Sequence, residues 1–392
     1  MAHGYFDRQP PPSEIEERME GYPSWIEVDL DSIGWNLDQI HRHTSAEVMP
    51  CVKNNAYGHG LLPVVAYLAE RGVRRVLVVK LREAVQIRDE VGCGVLSMDP
   101  LFTDEQFELV VEKGITQTVY THEAAERLSL AAEKAGRDAG VFVKVDTGLR
   151  RVGVWHADAP DLIEGISKLP HVVLEGVFST LMQTPERDRE QLGRLLAVGE
   201  ELRKRGVDPG AISLASSDAT LHLREAHLDI VRPGAIVYGL FPEPKDAGSG
   251  LELRQALSLR ARIEHAKWIE KGDSVTYWGR FIAPQRMRVG TLHVGFYDGI
   301  PREMANKAKI LVGGKYRQSL GSVSLNHVLV DLTGTDARVG DVVEVIVRAG
   351  ENTLSRMAET AGWMVYSLMN HLNPFTPRVY YRGGEPVALL EP

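Results

Sequence analysis

Eight short strand-like runs, each followed by a stretch with helical or turn character, fill residues 48–231 of this 392-residue chain. The runs are Val48–Val52, Arg75–Val79, Val95–Met98, Thr116–Tyr120, Val141–Asp146, Val173–Phe178, Ala211–Ala215 and Leu228–Val231. Between them lie amphipathic patterns over Leu62–Arg71, Arg82–Val91, Thr103–Lys113, His122–Ala135, Ala157–Lys168 and Arg187–Arg205; the seventh crossover, Asp218–Arg224, is short. Thr103-Asp104-Glu105-Gln106 reads as an N-cap followed by acidic residues in the first turn. Strands that alternate with helices pair in parallel through right-handed crossovers. Eight such units point to closure into a (β/α)8 TIM-like barrel; the competing arrangement is a doubly wound open sheet.

After about residue 255 the pattern changes. Leu257–Ile269, Met287–Phe296, Lys309–Val312, Val328–Leu332 and Val342–Val347 read as strands joined by glycine-containing turns, with one late helix over Thr353–His371. The expected fold is therefore α/β, an N-terminal barrel plus a C-terminal mostly antiparallel β domain. The expected division is 1–24 as an N-terminal arm, mobile or docked late, 25–255 as the barrel and 256–392 as the β domain. The strand-like Trp25–Leu30 precedes the barrel and is a candidate to join the β domain.

A formal charge of −8 gives no reason to expect nucleic acid or an anionic membrane as partner. No apolar run is long enough to span a bilayer. Cys51 and Cys93 are too few for a disulfide framework, and the first 21 residues lack the layout of a secretion signal. Together these features point to the cytoplasm. The thirteen histidines are scattered without ligand spacing, so no metal site is expected.

The chemistry concentrates where the first run ends, in Pro50-Cys51-Val52-Lys53-Asn54-Asn55-Ala56-Tyr57-Gly58-His59-Gly60. A lysine at the C-terminal end of a barrel strand sits where this fold places its active sites. Its amine binds an anion or, once deprotonated, forms a Schiff base. The string from Lys53 to Gly60 resembles the pyridoxal 5'-phosphate (PLP) lysine motif of the alanine racemase family, Lys-Ala-Asn-Ala-Tyr-Gly-His-Gly, at seven of eight positions. Six further segments fall in the family's order, so the resemblance covers residues 25–381.

The resemblance implies a fold-type III PLP enzyme with Lys53 as cofactor lysine and base on one face of the substrate. Arg232, in Val231-Arg232-Pro233-Gly234, matches the arginine that hydrogen-bonds the pyridine nitrogen. A guanidinium does not give up its proton, so that nitrogen stays unprotonated, the ring is a weaker electron sink and racemisation is favoured over side reactions. Tyr57, Ser217, Gly234, Ala235 and Tyr366 match the phosphate-binding positions, although the family's Asn-Ser reads Ser216-Ser217. In Lys144-Val145-Asp146-Thr147-Gly148-Leu149-Arg150-Arg151, Arg151 matches the arginine near the substrate carboxylate and Lys144 a lysine that some members carbamylate.

The departures lie around the second proton donor. A racemase needs one on each face of a planar intermediate. The family's tyrosine, in Gly-Tyr-Ala-Asp-Gly and supplied by the partner subunit, becomes Phe296 in Gly295-Phe296-Tyr297-Asp298-Gly299. Tyr297 follows, but in a strand it would point to the opposite face unless the strand is shifted or bulged. Cys-Met-Asp-Gln reads Ser324-Leu325-Asn326-His327, the preceding arginine is Ser322, and the histidine of Thr-His-Phe is Thr180.

The first reading is thus a racemase or epimerase that abstracts the α-proton of a small amino acid. Lys53 and either Tyr297 or His327 are the candidate catalytic groups, with Arg151, Phe296, Leu325 and Asn326 around the substrate. The second is one-faced Cα chemistry on the same scaffold, of aldolase, decarboxylase or transaminase type. The third is a non-catalytic PLP-binding protein, disfavoured by the C-terminal β domain. The resemblance also implies a homodimer with shared active sites.

Overall fold

The computed structural model describes residues 4–391. Its first layer is a parallel sheet of eight strands, Glu47–Val48, Arg75–Val78, Gly94–Ser97, Thr116–Val119, Ala139–Asp146, Val172–Phe178, Ala211–Ser213 and Ile230–Val231. Each overlaps one of the eight expected runs, the first only at Val48. Ile230 pairs with both Ser213 and Glu47, and Cys51 bridges to Leu77, so the sheet closes on itself. The closing hydrogen bonds run from Leu77 N–H to the Pro50 carbonyl and from Val52 N–H to the Leu77 carbonyl, 2.9 Å each. The helices of the crossovers stand where the periodicity places them. Thr103 and Gln106 form a reciprocal capping box, and Gly136 ends the helix His122–Ala135 in a left-handed conformation.

The second layer is built on the long strand Leu257–Ile269. Its first half pairs with Val342–Ile346 and its second half with Met287–Leu292. The circuit continues through Val328–Asp331, Lys315–Leu320 and Lys309–Val312 back to Val342–Ile346, which makes a small closed antiparallel barrel. Ser24–Asp29 pairs with Leu257–Ile269 and, in parallel, with Arg378–Arg382. The segment before the first barrel thus returns to the β domain, and the helix Leu30–His43, started by the Asp29 side chain, carries the chain back. No helix among the described residues is long and apolar enough to cross a membrane.

One open alternative is decided and two expectations need correction. The N-terminal arm is docked over its described part. The helix Pro12–Glu20 buries Ile15 against Trp25 and Val379, and Arg18 pairs with Glu391 at 2.8 Å; residues 1–3 lie outside the described residues. The late helix is two, Leu354–Ala361 and Val365–His371, because Gly362 takes φ +72° and ends the first. The strand expected to reach Phe296 stops at Leu292, and residues 296–299 form a turn. The argument that Phe296 and Tyr297 face opposite ways in a strand therefore does not apply.

Candidate active site

The first barrel strand, expected to run to Val52, ends at Val48; Lys53 follows it by five residues, just past the Cys51–Leu77 bridge that closes the barrel, and opens a single turn of left-handed helix. Asn54, Asn55, Ala56 and Tyr57 have φ of 55°, 59°, 51° and 52°. Asparagine accepts that conformation readily, but for alanine and tyrosine it costs roughly 1–2 kcal/mol each. Strain of this kind persists only where the surroundings over-determine the backbone, and here they do. The buried Glu83 carboxylate accepts the N–H groups of Asn54 (3.2 Å) and Asn55 (2.7 Å). The Asn55 side-chain oxygen accepts the Leu61 N–H at 2.8 Å. From the β domain the fully buried Arg378 donates to the Gly58 carbonyl at 2.8 Å. Gly60 has φ +95°, and a Cβ there would lie 1.7 Å from the Tyr380 hydroxyl oxygen. Glycine is required at that position both for backbone conformation and for space.

His59 completes the turn. It is fully buried, stacked on Tyr238 at 4.4 Å, and its Nδ1 lies 3.2 Å from the carbonyls of Ala56 and Tyr57. Burial lowers its pKa to about 4, so it is neutral at pH 7. In the unfolded chain a histidine titrates near ~6.5, so below that pH the unfolded state takes a proton that the folded state refuses. This group alone is expected to remove about 2 kcal/mol of stability between pH ~6.5 and ~5. Urea unfolding of the wild type and of His59→Gln across that range should differ in slope by about one proton; identical slopes would refute the assignment.

The lysine turn forms one wall of a cavity of about 300 Å³ at the barrel mouth. The rest comes from Cys51, Tyr57, Arg151, Phe178, Thr180, Ser216, Ser217, Arg232, Gly234 and Tyr366, with Leu77, Val79, Met98 and Val152 as apolar lining. The wall carries three cations, Lys53, Arg151 and Arg232, and, among the described residues, no carboxylate. Arg232 is buried, donating to the Ser213 hydroxyl and, at 2.6 Å, to the Ser179 carbonyl. Burial lowers its pKa to about 10, which leaves it protonated. Gly234 N–H donates to Ser217 Oγ at 2.8 Å, and a Cβ on Gly234 would lie 2.8 Å from the Tyr57 hydroxyl. Ala235 lies directly behind this corner and starts the turn Ala235–Tyr238. Tyr57 and Tyr366 stand 6.1 Å apart, ring centre to ring centre, and burial raises both phenols, Tyr366 to about 12.

Thr180 accepts a hydrogen bond from Lys144 at 2.5 Å. Burial, followed by the charges of Arg232 and Arg151, pushes the Lys144 ammonium well below the usual lysine range. Phe178 lies beneath both side chains, 4.6 Å from Lys144 Nζ and 5.0 Å from the Arg232 guanidinium carbon. Sequence reasoning singled out neither Phe178 nor Glu83 nor Arg378. Each acts by burial beside a group it supports, and no spacing marks that.

Phe296, Tyr297, Leu325, Asn326 and His327 are absent from this wall. They form a second assembly on the β domain, where Phe296 N–H donates to the Ser324 carbonyl (2.9 Å) and Tyr297 N–H to the Leu325 carbonyl (3.0 Å). Tyr297 is 54% and Leu325 50% exposed. Phe296 leans on the core, with the Arg302 guanidinium 5.5 Å from its ring centre. Ser322 is buried, bonded to Tyr277 and Thr276. His327 Nε2 lies 3.0 Å from Glu264.

A parallel barrel with a lysine at its mouth, joined to an antiparallel β domain, is an architecture this chain shares with solved amino-acid racemases. The alanine racemase N-terminal domain matches residues 28–242 and the alanine racemase C-terminal domain residues 256–380. Alanine racemase 1 of Clostridium acetobutylicum is 31% identical over 385 residues, 94% of this chain and 97% of the relative. The solved alanine racemase of Clostridium difficile 630 superposes with a TM-score of 0.89 at 28% identity, over 95% of this chain and 99% of the other. The solved histidine racemase of Leuconostoc mesenteroides subsp. sake gives a TM-score of 0.85 at 25% identity, over 92% and 99%. The chain belongs to the alanine racemase family, whose members are PLP-dependent racemases.

Proposed function

We propose that this chain interconverts the enantiomers of an amino acid with PLP held at the barrel mouth and with a second copy supplying the opposite-face proton donor. One observation carries the reading. Lys53, just past the Cys51–Leu77 bridge that closes the parallel barrel, shares with the buried Arg232 and the Ser217–Gly234 corner a wall of three cations and, among the described residues, no carboxylate.

The donor set fits the cofactor. The Ser217, Tyr57 and Tyr366 hydroxyls and the Gly234 and Ala235 amides would hold a phosphate dianion without a formal charge. The missing Cβ of Gly234 leaves room for the Tyr57 hydroxyl beside the backbone at that corner. Arg232 would face the ring nitrogen, and Lys53 would carry the covalent link. Bound there, PLP would supply an electron-poor ring that acidifies the Cα–H of an attached amino acid.

The remaining work falls to the chain. Arg151, exposed at the mouth, holds the substrate carboxylate. Lys53 takes and returns the proton on one face. Arg232 stays charged and keeps its proton. The opposite face needs a group that this chain does not bring to its own cavity, and a second copy placing its β domain over the mouth supplies it. Of the two candidates, Tyr297 has the more exposed side chain, whereas His327 has Nε2 against Glu264. We therefore assign the second donor to Tyr297, and the selection of the side chain to Leu325 and Asn326.

The test is incubation of the PLP-loaded enzyme in D2O with a panel of L- and D-amino acids, alanine and larger side chains included, followed by chiral separation with mass detection. Deuterium in both enantiomers with inversion is expected. Deuterium with retained configuration, or products of altered mass, would point to one-faced chemistry and remove the reading. Activity in a strictly monomeric fraction on sedimentation would remove the shared site.

A further inference from the structure

The β domain holds a cluster of ionisable side chains that the proposed reaction does not use. Glu264, His293 and His327 come from three neighbouring strand segments. Their ligating atoms, one from each residue, all lie within 4.8 Å of one another. Glu264 Oε2 is 2.8 Å from His293 Nδ1 and Glu264 Oε1 is 3.0 Å from His327 Nε2. The two imidazoles approach edge to face, 5.4 Å between centres.

The backbone builds this convergence. Leu257–Ile269 pairs with Met287–Leu292 in a register that shifts between Ile263 and His265, so Glu264 is the extra residue of a β-bulge. A bulge bends its strand and re-aims the side chain. His293 follows Leu292, which pairs with Val328, so His293 and His327 end adjacent strands side by side. Both histidines are half-buried while Glu264 keeps one side open to water.

We propose that Glu264, His293 and His327 bind one divalent cation of the zinc type through the carboxylate, Nδ1 of His293 and Nε2 of His327, with water in the remaining position. Two imidazoles and one carboxylate form a donor set that zinc and its first-row neighbours accept and that magnesium and calcium, which take oxygen ligands, do not favour. Each histidine binds as the neutral ring with its proton on the other nitrogen. His293 stands three residues before the turn that bears Phe296 and Tyr297, and His327 directly follows Asn326. The cation ties together the two arms that the Phe296–Ser324 and Tyr297–Leu325 hydrogen bonds already join. Its consequence is a stiffer Tyr297 turn.

Tag-free, chelator-treated holoenzyme would be titrated with Zn2+ against a chromogenic chelator, and with Co2+ to read its visible absorption. The expected result is about one Zn2+ per chain with micromolar or tighter affinity. His293→Ala and Glu264→Gln, each shown to be folded without metal by circular dichroism, should weaken binding by about 100-fold or more, because each removes a direct ligand. Amide exchange across residues 294–298 should slow on Zn2+ addition in the wild type and stay unchanged in both variants. Absence of binding at ~100 µM Zn2+, far above the affinity expected of three converging ligands, would overturn the proposal. Unchanged affinity in both variants would overturn it too, by placing the metal elsewhere.

Discussion

Lys53→Ala is expected to lower kcat/KM for racemisation by on the order of 10⁴-fold or more, since a positioned acid/base alone contributes roughly 10²–10⁴ and this lysine is also the covalent attachment point. The side chain is held in place by its own turn. Four consecutive left-handed residues follow it, and Glu83 and Arg378 fix that turn from the barrel and from the β domain. Alanine leaves those anchors intact, so the variant should melt with the wild type and keep Arg232 and the Ser217–Gly234 corner. It should still take up PLP, now reversibly, and lose the absorption of the lysine-linked cofactor. A small primary amine added to the buffer should restore part of the activity. A variant that keeps more than a tenth of wild-type activity would remove Lys53 from the chemistry.

Much of this fold is readable in the sequence because parallel barrel strands are buried on both faces and most appear as short, mainly apolar runs. All eight overlap the expected runs, the first at Val48 alone. The helix Leu30–His43 is harder to see because its cap, Asp29, is also the last residue of the strand before it. The break at Gly362 interrupts a pattern whose apolar residues continue on both sides. The lysine string identifies the chemistry but not its geometry. Asn54 and Asn55 hint at positive φ, whereas nothing marks Ala56 and Tyr57 for it, because the partners that impose it lie at Glu83 and Arg378. The Glu264, His293 and His327 cluster is invisible to spacing arguments for the same reason: a bulge and two strand ends bring it together.

Tyr297→Phe is expected to lower interconversion of enantiomers by about 10²- to 10⁴-fold, the usual worth of a positioned proton donor, while leaving the lysine face at work. The variant is instructive because the neighbouring position is already phenylalanine. Residues 296–299 are a turn, so a tyrosine one position later can present its hydroxyl without a slipped strand. Phe296 packs on its own domain and Tyr297 stands out from it. The backbone of Tyr297 is held from both sides, its N–H by the Leu325 carbonyl and its carbonyl by the Asn373 side chain at 3.1 Å. Removing one exposed hydroxyl should therefore leave the melting temperature within a degree or two. In D2O the variant should exchange the α-hydrogen of one enantiomer with retention and form the other only slowly. That split separates a lost acid/base from a damaged site, which would lower both. If Tyr297→Phe stays within threefold of wild type, the role passes to the remaining candidate, and His327→Ala in the same assay should then show the loss.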